Sequence, residues 1–141
     1  PSNLVPVITQ TAIGKRESTT VFGSDYNTKD GTCVRDYIHV VDIAKAHISA
    51  IELLIKKKNS SKFEIYNLGS GNGNTVLEVI QTFERVTGQK LNYKLGDRRA
   101  GDVEKVYADT TKAGKELNWR TELSLEDIVR SAWAWEKHIN E

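Results

Sequence analysis

Two arginine-bearing segments hold the residues best suited to chemistry. The first, Gly31–Asp42, reads Gly-Thr-Cys-Val-Arg-Asp-Tyr-Ile-His-Val-Val-Asp and sets Arg35 beside Asp36. The second reads Arg98-Arg99-Ala100-Gly101-Asp102. A guanidinium offers forked donors that match phosphate oxygens, and a carboxylate accepts from sugar hydroxyls. Two separated arginines converging on one diphosphate is one geometry these residues allow. The others are an internal Arg35–Asp36 pair and a surface charge cluster at 98–102 that satisfies itself. An arginine at the mouth of a buried strand is costly to leave without an anion. Residue types alone do not say whether that anion is a carboxylate or a phosphate.

Other chemistries find less support. Gly69-Ser70-Gly71-Asn72-Gly73-Asn74 follows an apolar run and precedes a helical pattern, the context of a dinucleotide-binding loop. Counting from Gly69 and Gly71, the third glycine position is Asn74, and the nearest suitable downstream acid, Asp97, is poorly placed. A tight strand-to-helix turn is the better reading. A tyrosine–lysine proton relay needs lysine four residues after tyrosine, on the same helical face. The residues four after Tyr26, Tyr37, Tyr66, Tyr93 and Tyr107 are Asp30, Val41, Ser70, Asp97 and Thr111. No serine elbow or metal-ligand spacing stands out. Cys33 reads as a small loop or core residue, since no spacing pairs it with His39, His47 or His138. His39 reads as an alternate-face strand residue and His47 as a packed or rim residue of a helix.

The elements that must position these groups follow from period and punctuation. Pro1–Lys15 predicts a helix with Ser2 or Asn3 as cap, an apolar face of Leu4, Val7, Ile8, Thr11 and Ala12, and Gly14 as stop. Thr19–Phe22 predicts a short strand, and Ser24–Thr32 an ordered loop. Tyr37, Ile38, Val40 and Val41 predict a central strand, with Asp42 capping a helix to about Lys57. On that helix Ile43, His47, Ala50, Ile51 and Leu54 share one side. Phe63–Leu68 predicts a second strand. Thr75 with Glu78 forms a capping box for a helix whose stripe is Val76, Val79, Ile80, Phe83 and Val86, ended by Gly88. Leu91–Leu95 and Val103–Ala108 predict further strands. Thr110 or Thr111 caps a short helix stopped by Asn118. Ser124 and Asp127 open a last helix, with Leu125, Ile128, Val129, Ala132 and Trp135 inward and Trp133 at the border. Strands alternating with helices give an α/β or mixed α+β class with a small, partly parallel sheet, in one domain over 1–141.

Composition sets the outer limits. The chain has 141 residues, 38% hydrophobic and 28% charged, which is ordinary for a globular protein with a real core. A formal net charge of +1 gives no footprint for a nucleic-acid partner. Lys56-Lys57-Lys58 reads as the solvated end of a helix. One cysteine excludes an internal disulfide and a cysteine metal cluster, and fits a reducing cytoplasm. No apolar run reaches membrane-spanning length. The chain lacks methionine and begins with Pro1, which points to a piece of a longer protein.

Thr32–Asp42, Tyr66–Gly71 (Tyr-Asn-Leu-Gly-Ser-Gly) and Arg98–Asp102 together resemble the C-terminal half of the UDP-glucose 4-epimerases. So do Asn3-Leu4 at the start and the helix with Trp133 and Trp135 at the end. The resemblance spans nearly the whole chain in the family's order. The family belongs to the extended short-chain dehydrogenase/reductases, whose N-terminal Rossmann half binds NAD and carries the catalytic tyrosine and lysine. The resemblance therefore implies a substrate-binding lobe with no catalytic or metal-binding residue of its own, no NAD held on this chain alone, and no activity in isolation. In the full-length enzyme it implies NAD-dependent interconversion of UDP-glucose and UDP-galactose in galactose metabolism, in a cytoplasmic homodimer.

Residue by residue, the resemblance implies that Arg35 and Arg99 contact the UDP diphosphate and Asp102 the ribose hydroxyls. Asn3 would lie near the diphosphate and sugar, with Leu4 offering its backbone N–H. Thr20–Phe22 would hold uracil through backbone groups, with Phe22 beside the ring. Val106 would fall where the family controls room around the hexose, and its small size suggests that N-acetylated hexoses fit. Packing against a Rossmann half implies an exposed apolar face on this chain. The rival readings are a related nucleotide-sugar enzyme, such as a UDP-N-acetylglucosamine 4-epimerase or a dehydratase, and a stand-alone nucleotide-sugar binding module.

Overall fold

The computed structural model describes residues 3–141. Pro1 and Ser2, where the sequence starts the first helix and places one of its two candidate caps, lie outside the described residues. The elements run α1 (Leu4–Ala12), β1 (Thr19–Phe22), β2 (Val34–Arg35), α2 (Val40–Ile55), β3 (Asn74–Thr75), α3 (Val76–Thr87), β4 (Tyr93–Gly96), β5 (Lys105–Val106), α4 (Thr111–Leu117) and α5 (Leu125–His138). The expected mixed α/β class with small, partly parallel sheets is what forms. β1 pairs with β4 in parallel, Thr19 opposite Tyr93 and Phe22 opposite Gly96. β2 lies between β3, antiparallel, and β5, parallel.

The helices with strong local signals form as their residues dictate. Thr75 and Glu78 close a reciprocal capping box on α3, Ser124 and Asp127 do the same on α5, and Gly88 ends α3 at φ +71°. Val79, Ile80 and Phe83 turn into the main core with Ile8 of α1, Val21 of β1, Val129 of α5 and Leu91. This core is what fixes α1 beside β1. A smaller core gathers Ala46, Ala113, Leu117 and Trp119 between α2 and α4.

Several expected elements differ. α1 spans nine residues, and its C-cap is Ile13, directly before Gly14. The chain from Tyr37 to His39 forms no strand, and α2 begins at Val40 rather than after Asp42. The cap is His39, whose Nδ1 accepts from the Val41 N–H at 3.0 Å. Its other nitrogen therefore carries the proton and donates to Ser131 Oγ at 2.9 Å. Asp42 is instead buried, its Oδ2 accepting from the N–H groups of Glu122 and Leu123. Phe63–Leu68 also forms no strand. Phe63 is 77% and Ile65 66% exposed, while Tyr66 and Leu68 of the same run pack against the smaller core. Of Val103–Ala108 only Lys105–Val106 pairs. On α2, Ala46 is buried, whereas His47, Ile51 and Leu54 are exposed. On α5 the tryptophans exchange the expected roles. Trp133 meets Phe83 edge-on at 5.7 Å between centroids, and Trp135 is 63% exposed.

Two carboxylates tie distant segments together. Asp36 Oδ1 accepts from the backbone N–H and hydroxyl of Ser70, and Oδ2 from the N–H groups of Gly71 and Ala108. A Cβ on Gly69 would lie 2.3 Å from Asp36 Oδ2, so that glycine is what lets the carboxylate enter the turn. Glu136, 5% exposed, accepts from Thr9 Oγ1 at 3.1 Å and from Asn140 Nδ2, and pairs with Lys15 at 3.2 Å. It thereby bolts α5 to α1.

Removing the Asp36 carboxylate leaves several part-buried donors without partners. Asp36→Ala is expected to cost about 2–4 kcal/mol of stability, since each hydrogen bond to a charged acceptor is worth about 1.5–3 and its loss is partly recovered by water. A urea midpoint equal to the parent's would contradict this account. Burial works to raise the Glu136 carboxyl, but the bonds from Lys15, Thr9 and Asn140 outweigh it and hold the group below the ordinary 4.5. A depressed carboxyl adds stability that is fully present above the unfolded value and is lost as pH falls through the folded one. Glu136→Gln is therefore expected to be less stable than the parent at pH 7 and to show a shallower loss of stability below about pH 4.5. Urea titrations from pH 7 down to 3 measure both.

Candidate functional site

Asp36 and Arg35 are chain neighbours whose side chains leave an extended backbone in opposite directions, as pleating requires. Asp36 is engaged by the 69–71 turn and Ala108, so it does not pair with Arg35. Arg35 instead donates from Nη1 to the carbonyls of Val34 and Val103, both at 2.8 Å, and from Nη2 to Asp102 Oδ1 at 3.5 Å. The same oxygen accepts from Arg99 Nη2 at 2.9 Å. The two arginines, separated by 63 residues of chain and brought together by the β2–β5 pairing, thus meet at one carboxylate.

They stand at one side of a cleft of about 630 Å³. Its floor and walls come from the first turn of α1 (Asn3, Leu4, Val5, Pro6, Val7), from β1 (Thr20, Val21, Phe22), from Cys33, Arg35 and Tyr37, and from Arg99 and Asp102. That size and the mixture of apolar walls with a few charged groups suit a small-molecule ligand. The N-terminus of α1 opens onto it. Asn3 caps α1 in an extended conformation without spending its side chain on the helix. Pro6 has no N–H, so the donors at this helix end are the N–H groups of Leu4 and Val5, where the helix dipole favours an anion.

Asn3, Leu4, Thr20, Phe22, Arg35, Arg99 and Asp102 all line this cleft. Val106 is next to Arg35 across the β2–β5 pair, half exposed and outside the lining. Arg98 turns away: its Nε donates to Asp25 Oδ1 at 2.7 Å, and its guanidinium lies 4.1 Å over the Tyr26 ring. That bond holds the Asp25 carboxyl below the ordinary carboxylate range. Adjacent arginines alternate, so one faces the cleft and the other locks the 25–26 loop. Sequence reasoning missed Arg16, Ser18 and Tyr37, which also line the cleft. Tyr37 follows Arg35 by two residues, and the period of an extended chain could have placed both on one side. Burial pushes the Tyr37 phenol up to about 12, against the opposing pull of Arg35. It is therefore neutral near pH 7.

Ser70 and Gly71 direct their N–H groups at Asp36, and Asn72 directs its own at Ser70 Oγ, so these three donors of the turn at 69–74 are spent within the protein. Among the described residues no group of three or more histidines, cysteines or acids could hold a metal ion, and no helix is long and apolar enough to cross a membrane.

Residues 1–132 match the family described as GDP-mannose 4,6 dehydratase. UDP-glucose 4-epimerase 1 of Oryza sativa subsp. japonica is 49% identical over 135 residues, covering 96% of this chain and 38% of that relative. The crystal structure of UDP-glucose-4-epimerase from Stenotrophomonas maltophila with bound NAD and formylated UDP-arabinopyranose superposes with a TM-score of 0.94 at 44% identity, covering 99% of this chain and 41% of that one. The UDP-glucose 4-epimerase of Bifidobacterium longum in complex with NAD+ and UDP superposes with a TM-score of 0.90 at 43% identity, covering 98% and 40%. The chain thus spans 38% to 41% of the length of these proteins. The architecture matches the C-terminal lobe of solved UDP-glucose 4-epimerases. By sequence and by fold, this chain belongs to the extended short-chain dehydrogenase/reductases, in the family described as GDP-mannose 4,6 dehydratase.

Proposed function

We propose that this chain is the UDP-sugar-binding lobe of an NAD-dependent UDP-glucose 4-epimerase. The observation that carries the reading is the convergence of Arg35 and Arg99 on one point of the cleft. Two guanidinium groups there match the two phosphates of a nucleoside diphosphate, and forked donors give them both charge and direction. The N–H groups of Leu4 and Val5, with the Asn3 side chain, add neutral donors beside the diphosphate and sugar. Asp102 accepts from the ribose hydroxyls. Thr20 and Phe22 receive uracil through the backbone of β1, with the Phe22 ring alongside.

The lobe's share of the reaction is positioning. Charge anchors the UDP portion while the hexose has few fixed contacts and can present either face. Binding energy from a remote, unreacting group then supports chemistry at the sugar. NAD is the cofactor of this activity, and on this reading a Rossmann half outside the chain holds it. The exposure of Ile48, Ile51, Leu54 and Ile55 on α2, and of Phe63 and Ile65 after it, supports that arrangement, because exposed apolar side chains in this number are what a docked domain would cover.

Calorimetric titration of UDP-glucose into the chain tests the site. Arg35→Ala and Arg99→Ala are each expected to weaken binding by about tenfold or more, from about 1.5–3 kcal/mol per hydrogen bond to a charged group. Equal heats from parent and variants would remove the diphosphate assignment. Val106 generates a separate expectation about the hexose. With the NAD-binding half supplied, the enzyme should turn over UDP-N-acetylglucosamine as well as UDP-glucose, and Val106→Tyr should suppress the acetylated substrate selectively. Steady-state kinetics with both substrates decides; no turnover of the acetylated one by the parent rejects the idea.

A further inference from the structure

The two arginines of the cleft are held in different ways. Arg35 is anchored without Asp102: its Nη1 bonds to two backbone carbonyls at 2.8 Å, and its side chain is 29% exposed. Arg99 is 56% exposed. Among the described residues its side-chain hydrogen bond is the one to Asp102, at 2.9 Å, and its guanidinium also lies 5.5 Å from the centre of the Phe22 ring. A long side chain at that exposure would sample several rotamers, and ordering it on binding is costly. Asp102 itself is fixed. Its side chain is only 14% exposed, and its N–H closes a turn on the Arg99 carbonyl at 3.1 Å. Without a carboxylate between them, two guanidinium groups at this spacing would also repel.

We infer that Asp102 is a positioning residue for Arg99: its carboxylate holds the exposed guanidinium in place beside Arg35, so that the pair is arranged for a diphosphate before the ligand arrives. This rests on the UDP reading of the cleft and goes beyond a ribose contact. A ribose contact serves uridine and UDP alike. A role in arranging Arg99 serves the diphosphate alone.

The test compares UDP with uridine. Both are titrated into the parent chain, Asp102→Ala and the near-isosteric Asp102→Asn, with amide spectra confirming the fold of each. The expected result is that the ratio of UDP to uridine affinity falls about tenfold in Asp102→Ala and by less in Asp102→Asn, which keeps one acceptor oxygen. An unchanged ratio, with both affinities reduced equally, would overturn the inference in favour of a ribose role alone. A raised ratio would overturn it too, by showing that Asp102 competes with the ligand. A second arm needs no ligand. In the Nε–Hε region of nitrogen–proton spectra, Arg99 should be ordered in the parent and lose its heteronuclear NOE in Asp102→Ala, while Arg35 keeps its own. An Arg99 signal equally mobile in parent and variant would refute the positioning role. Failure of the parent to bind UDP while this NMR contrast holds would instead reject the UDP reading and leave the positioning role standing.

Discussion

The opposite directions taken by Arg35 and Asp36 are the constraint on which the rest of the site depends. Neighbouring side chains on extended backbone cannot share a face. Here each charge has its own task. Asp36 reaches one way and gathers Ser70, Gly71 and Ala108, which holds the turn before α3 and the chain after β5 in place. Arg35 reaches the other way, into the cleft, where β5 has brought the 98–102 loop. Had the two paired with each other, the turn would lack its acceptor and the cleft its deeper cation.

The main core extends that arrangement. α3 enters it through Val79, Ile80 and Phe83, and α5 closes it from the far side through Val129 and Trp133. α1 is held twice, by Ile8 in the core and by the Glu136 carboxylate at the other end of the interface. The consequence is that the first turn of α1, with its undercommitted Asn3 and the donors of Leu4 and Val5, is fixed opposite the arginines. Burial keeps the Tyr37 phenol neutral in this cleft, which also holds the Arg35 and Arg99 guanidinium groups, the donors of α1 and apolar walls. Those two cations and the helix N-terminus give the cleft the character of the anion site proposed for it.

The outer face of α2 has a different character. Its inner side packs Ala46 onto Ala113, Leu117 and Trp119, while Ile48, Ile51, Leu54 and Ile55 look outward, as Phe63 and Ile65 do farther along the chain. That asymmetry explains why two expectations about this region failed together. A buried helical stripe and a paired strand both need a neighbour, and none of the described residues covers the outward side chains of either run. His39 stands at the junction as a structural group, capping α2 with one nitrogen and binding α5 through Ser131 with the other.

Local chemistry alone determined much of this protein. The capping boxes at Thr75 and Ser124, the stops at Gly88 and Asn118, the β-branched run at Thr19–Phe22 and the arginine-bearing segments were all legible, because each depends on residues a few positions apart. Asp36's partners, the outward turn of Trp135, the start of α2 at His39 and the diversion of Arg98 to Asp25 and Tyr26 were decided only in three dimensions. Each depends on which segment arrives next to it, and that follows from strand pairing and core packing across tens of residues. Residue types named the arginines, and the parallel pairing of β2 with β5 put them on the same carboxylate.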